Sequence, residues 1–227
     1  MSLEIFEKIL RQNCKKYYAD LSNGERINRL QKRRELNNSM TDLIKRGEKI
    51  GYTELYTSCI RSLGYVMEDT ARDYAKAMGA TVEKKIKQLN TEIDLVFIIG
   101  DVVYNLESKV NIELDSGKTA NTHRRLKRIH NAIDNLLDCE VNHLKLITKL
   151  LAWTKPTADD AMRVVKKPLT KDMMMGYAEF FQLFNVIVTQ LQYEDMIRRV
   201  WKEEVEDFFT PKANPQKTLG GDGNEEK

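Results

Sequence analysis

Two apolar runs stand out from the pattern of hydrophobic and polar positions: Ile93–Ile99 and Val102–Leu106, separated only by Gly100-Asp101. Short apolar runs joined by a two-residue glycine-containing link predict antiparallel strands closed by a tight turn. With those two residues as the loop, Ile99 pairs with Val102, Asp94 falls opposite Glu107, and Glu92 falls opposite Lys109. Side chains alternate along a strand, so Leu106, Ser108 and Val110 face one way and Glu107 and Lys109 the other. Elsewhere the apolar spacing is helical. Leu3–Leu21 forms an amphipathic stretch broken by Ser22-Asn23-Gly24, and a second helix is expected from Glu25 to Arg46. Thr53–Leu63 and Tyr65–Met78 read as two helices meeting at Gly64. Ala120–Trp153 carries Leu126, Ile129, Ile133, Leu144, Ile147 and Leu151 at helical spacing, closed by Lys155-Pro156. Thr170–Phe209 reads as a long helical region broken near Gly176, its Phe180, Phe181, Phe184, Val188 and Leu191 assigned to the core or a dimer interface.

An isolated hairpin is not a stable sheet, so further strands are required. Ala80–Leu89 and Ala161–Val165 are the candidates. The expected fold class is α/β (α+β), a small mixed sheet flanked by a helical majority. The expected organisation is one domain over residues 1–209, with a Pro-, Gly- and charge-rich flexible tail at 210–227.

The hairpin register sets the chemistry. Like charges directly across a ladder repel, so Asp94 and Glu107 facing each other in otherwise apolar strands call for a cation. Hard divalent cations take oxygen ligands from one or two carboxylates and complete their shell with water and phosphate oxygens. Lys109, two residues beyond Glu107, is then placed to orient water and to offset phosphate charge. Those residues point to metal-assisted phosphodiester hydrolysis.

Asp94…Glu107-Ser108-Lys109 resembles the motif of the PD-(D/E)xK nucleases. The longer string Glu107-Ser108-Lys109-Val110-Asn111…Leu114-Asp115…Lys118…Thr122 is similar to type II restriction endonucleases. The likeness covers roughly residues 65–130. It implies a restriction-endonuclease-like core, Mg²⁺ as cofactor, Asp94 and Glu107 as metal ligands, Lys109 as the catalytic lysine, and site-specific cleavage of double-stranded DNA by a homodimer. Ile93 stands where the family has proline, which leaves Asp94 and Glu92 as alternatives for the first ligand; the register favours Asp94. In that class an acid from a preceding helix often joins the site. Glu68 is the candidate here, with an i,i+4 ion pair to Arg72 as the competing role. Two other readings fit the same residues: a repair or recombination nuclease that reads DNA structure, and a non-catalytic helical DNA-binding protein.

Charge sharpens the picture only locally. The net charge of +3 is too small to argue for a polyanionic partner. Ser116–Ile133, however, holds five basic residues and no acid. Within it, Lys118, Thr122, Arg124, Arg125 and Arg128 are candidate DNA contacts, through phosphate or, for arginine, guanine edges. Ser116-Gly117-Lys118-Thr119 is not a P-loop, because Ile112 occupies the position of the required first glycine. Cys14, Cys59 and Cys139 make no metal pattern with His123, His130 and His143. With no signal-like segment and no run of the ~20 apolar residues that span a bilayer, a cytoplasmic protein without a membrane partner is expected.

Overall fold

The computed structural model describes residues 2–36, 49–83, 93–112, 116–137 and 142–206. Among them are seven α-helices and a five-stranded mixed sheet. Helices α1 (Ser2–Ser22), α2 (Glu25–Leu36) and α3 (Tyr52–Ala77) precede strands β1 (Thr81–Glu83), β2 (Leu95–Ile99) and β3 (Val102–Lys109). Helix α4 (Ser116–Leu137) crosses over to β4 (Lys145–Ala152). Then come α5 (Ala158–Met162), a 3₁₀ turn (Lys171–Met173), β5 (Met174–Gly176), α6 (Tyr177–Gln182) and α7 (Gln190–Glu204). The strands lie in sequence order, with β1–β2–β3 antiparallel and β3–β4–β5 parallel.

The hairpin has the register expected from the sequence. Ile99 pairs with Val102 and Leu95 with Leu106. Gly100 takes φ of +61° at the first turn position, a conformation that glycine enters without steric cost. The Asp101 carbonyl then accepts from the Lys145 N–H at 2.9 Å, which fixes the start of β4 beside the turn.

Each face of the sheet is covered by helix. On one side Phe97, Leu95, Leu106, Leu151 and Met175 pack with Phe6, Val66, Met67, Tyr74, Phe180 and Phe181. The buried residues of α3, among them Val66, Met67, Thr70, Ala71, Tyr74 and Ala75, recur at the three- and four-residue spacing of one helix face. Tyr74 meets Phe6, Phe181 and Phe184 edge-on at centroid distances of 5.3, 5.5 and 5.4 Å, the arrangement that aromatic quadrupoles favour. On the other side Val96 and Val103 meet Ile129 and Ile133 of α4, while Leu150 and Ala152 meet Leu126 and Ile112.

Several sequence expectations are corrected. Helix α3 runs unbroken through Gly64, because its buried stripe continues on both sides and outweighs the roughly 1 kcal/mol cost of one helical glycine. Residues 120–153 do not form one helix. Asn142 donates to the Leu137 carbonyl at 2.6 Å, His143 adopts φ of +54°, and the chain re-enters as β4. Leu150, Leu151 and Ala152 are all buried, as in a strand covered on both faces. Residues 161–165 are not a strand; Ala161 and Met162 end α5. The 170–209 region holds a 3₁₀ turn, β5 and two helices, and Leu191 is 68% exposed, outside the core. The third strand expected in Ala80–Leu89 is present as the short β1. The far half of the second expected helix and the tail lie outside the described residues.

The β5–α6 junction is tightly built. The Glu179 carboxylate accepts the N–H groups of Gly176 (2.7 Å) and Ala158 (2.8 Å), so one side chain serves the starts of both α5 and α6. At Gly176 an added Cβ would lie 2.2 Å from the Pro156 carbonyl oxygen and 2.4 Å from the Thr157 nitrogen. Since both are backbone atoms, Gly176→Ala is expected to cost about 2–3 kcal/mol. Urea denaturation would register this as a lower midpoint at unchanged slope.

Candidate active site

The sheet hydrogen bonding of β2 ends at Leu95, and the Asp94 side chain continues it. Asp94 Oδ2 accepts from the Ser108 N–H at 2.9 Å, which brings the carboxylate to the end of β3 beside Glu107. The alternation of β3 sends Glu107 and Lys109 to the α4 side. Between them Ser108 points the opposite way, and its hydroxyl accepts from Trp153 Nε1 at 2.9 Å in the core. The Trp153 N–H donates to the Lys109 carbonyl at 3.1 Å. The Glu107-Ser108-Lys109 tripeptide is therefore pinned by the Asp94 side chain on one edge and by β4 with its following residue on the other.

The two carboxylates are nearly out of water, with side chains 10% exposed at Asp94 and 4% at Glu107. Two cations hold them together. Lys109 Nζ lies 2.7 Å from Glu107 Oε1 and 3.9 Å from Asp94 Oδ2. Arg125 of α4 bridges both acids, with one guanidinium nitrogen 2.8 Å from Glu107 Oε1 and the other 3.3 Å from Asp94 Oδ1. Removing either acid from such a buried array leaves an uncompensated cation, whereas the paired array is stable through charge-assisted hydrogen bonds.

Glu68, on α3, belongs to the same electrostatic neighbourhood. Burial and then the Asp94 carboxylate push its carboxyl up to about 7, with Glu107 adding to the rise and Lys109 and Arg72 opposing it. Glu107 is raised as well, by burial first and Asp94 second, against the pull of Lys109 and Arg125. Arg72 donates to Asp69 at 2.5 Å and to the Asp94 carbonyl at 2.7 Å. It thus ties α3 to the first residue of the site. The i,i+4 partnership with Glu68 weighed in the sequence gives way to these two acceptors.

The candidate residues therefore divide. Asp94, Glu107 and Lys109 come together, with Glu68 close enough to feel their charge. Arg125, expected from the sequence to touch DNA, has its guanidinium on the two carboxylates. Thr122 is half-buried on α4, and Lys118, Arg124 and Arg128 are exposed, with Arg124 donating to Asn121 at 2.5 Å. Glu92, the alternative first ligand, and Asp115 lie outside the described residues. Sequence reasoning overlooked Trp153, and it overlooked the inward role of Arg125. The second was signalled by the position of Arg125 four residues before buried Ile129, at the border of the apolar stripe of α4.

The residues suit a hard divalent cation. The donors are all carboxylate oxygens, they converge on shared cationic partners, and burial first and repulsion by Asp94 second drive Glu68 and Glu107 toward protonation. Among the described residues no three His, Cys, Asp or Glu side chains form a complete metal cage. A pair of carboxylates is a donor set that Mg²⁺ commonly uses, with water and phosphate oxygens completing its shell. No protein-family model matches the chain, and no curated protein matches it. Among the described residues no helix is long and apolar enough to cross a membrane.

The raised carboxyls make stability depend on pH. Between about 4.5, the ordinary value for Glu68, and about 7, the folded protein retains a proton that the unfolded chain has released. Stability contributed by Glu68 therefore falls as pH rises through that window and levels off above it. Glu68→Gln removes this loss. In chelator, the variant is expected to be more stable than wild type at pH 8 by roughly 1–2 kcal/mol after allowance for solvent screening. The difference should vanish near pH 4, as read by urea denaturation at the two pH values.

Proposed function

We propose that the protein is a Mg²⁺-dependent deoxyribonuclease of the type II restriction endonuclease class, hydrolysing phosphodiester bonds at a short specific duplex site. The observation that carries this reading is the convergence of Asp94, Glu107 and Lys109 at the end of the β2–β3 hairpin, in the order and register that the sequence resemblance requires. Asp94 and Glu107 would hold the metal. When bound, the metal would lower the pKa of a coordinated water and neutralise charge developing on the phosphoryl oxygens.

The protein's own residues account for the rest. Ser108 N–H holds Asp94 in place, so the acid needs no reorganisation when the site fills. Lys109, 31% exposed at its side chain, reaches from the buried acids to solvent. Its ammonium is placed to orient the attacking water and to balance a non-bridging phosphate oxygen. Glu68, held near neutrality, is available as a further acid or base beside the pair. Lys118, Thr122, Arg124 and Arg128 lie on α4, the helix that packs over the site, and supply phosphate contacts. Binding should accordingly weaken steeply with salt. A palindromic duplex site presents two equivalent scissile phosphates, and a two-fold symmetric homodimer matches them one to each subunit.

The test is a digest of long unmodified duplex DNA with Mg²⁺ or chelator, using wild type, Lys109→Ala and Asp94→Asn. Discrete Mg²⁺-dependent fragments are expected from wild type, with cleavage reduced at least about a thousandfold in both variants. A smear, or cleavage confined to branched or single-stranded substrates, would favour a structure-reading nuclease. Complete inactivity of folded wild type on all of these DNAs would remove the nuclease reading.

A further inference from the structure

We infer that Arg125 is a built-in counterion of the Asp94–Glu107 pair that a divalent cation has to displace, so that the guanidinium restrains metal binding until it swings out of the site. This rests on the metal-dependent reading above and adds a control element to it.

Three observations carry it. First, Arg125 occupies one oxygen of each acid that a shared cation would approach. Asp94 Oδ2 is committed to the Ser108 N–H, which leaves Oδ1, and Oδ1 is the atom bonded to Arg125 at 3.3 Å. On Glu107 the guanidinium takes Oε1 at 2.8 Å. A cation shared between the two acids therefore competes directly with the guanidinium fork. Lys109 is a different case, since its close contact is to Glu107 alone.

Second, the charge count is already closed. Two carboxylates face Lys109 and Arg125, so entry of a divalent ion leaves two surplus positive charges in a poorly hydrated site. Withdrawal of Arg125 halves that surplus, and a DNA phosphate can take up the remainder.

Third, the Arg125 side chain has a route toward solvent. The Arg125 side chain is 32% exposed, unlike the acids it bridges. It is flanked on α4 by exposed Arg124 and Arg128. Rotation about its long stem carries the guanidinium from the carboxylates toward that basic surface without moving the helix. A guanidinium that binds phosphate bidentately then couples metal entry to DNA binding: whatever draws Arg125 outward opens the acids to the cation.

The experiment is calorimetric titration of the full chain with Mg²⁺ in the absence of DNA, comparing wild type, Arg125→Gln and Lys127→Ala. Lys127→Ala, an exposed change on the same helix, controls for loss of one positive charge at a distance. Loss of the competing charge-assisted bonds is expected to make Arg125→Gln bind Mg²⁺ about ten- to a hundredfold more tightly than wild type, with Lys127→Ala within about twofold. Equal or weaker binding by folded Arg125→Gln, with Mg²⁺ bound by wild type, overturns the displacement while leaving the metal site standing. Failure of both proteins to bind Mg²⁺ overturns the metal-dependent reading and this inference with it. If Arg125→Gln does not fold, as circular dichroism would reveal, Arg125→Lys replaces it. That variant keeps the charge but cannot bridge both acids, and unchanged affinity there likewise overturns the proposal.

Discussion

Everything distinctive in this molecule follows from one repulsion. Asp94 and Glu107 are brought onto shared cationic partners in a nearly water-free setting, where charges attract or repel one another far more strongly than in solvent. The backbone imposes the encounter: a two-residue turn and a fixed ladder leave the acids no other register. The structure answers by recruiting cations from separate elements, Lys109 from the strand itself and Arg125 from the crossover helix. Arg72, on the helix that packs behind, holds the Asp94 backbone. The strain is local, but it organises three layers of the fold.

The parallel connection explains why α4 can answer. Because β3 and β4 run in the same direction, the chain must return along a sheet face, and a helix is the usual way to do so. Helix α4 starts seven residues after β3 ends, so its first turns lie near the polar end of that strand. Arg125 comes nine residues further on, about 13 Å along the axis, where it meets Glu107 as its neighbours Ile129 and Ile133 meet Val103. The same packing that buries the apolar stripe of α4 sets the reach of its arginine.

How much of this the sequence revealed depended on whether the controlling interaction was local. The hairpin register was legible from Leu95–Leu106 to Ile99–Val102, since its strand period and its glycine turn agree. The first helix and its break at Ser22-Asn23-Gly24 were legible for the same reason. Strand β4 was not, because Leu144, Ile147 and Leu151 satisfy helical spacing while Leu150, Leu151 and Ala152 satisfy that of a buried strand. Among the described residues the Asn142-His143 turn separates the two, and a left-handed histidine is a weak written signal. At the site, Asp94, Glu107 and Lys109 could be placed from register alone. The inward turn of Arg125 could not, because helix-to-sheet docking joins residues 18 apart on different elements. Trp153 required β4 to be recognised first.

The position of the charged cluster along β3 also reconciles stability with reactivity. The strand is central, bonded to β2 on one side and β4 on the other, and its middle is committed to the core through Val103 and Leu106. Polarity increases toward its end, from buried Asn105 through Glu107 to the half-exposed Lys109. Asn105 donates to Thr148, which in turn meets His130, so the buried polar groups ahead of the acids are satisfied. The core can then remain close-packed while Lys109, the last residue of the strand, keeps access to solvent. An array of charges that would destabilise the middle of such a sheet is tolerable at its rim, where Lys109 and Arg125 pair with the acids and are themselves partly in water.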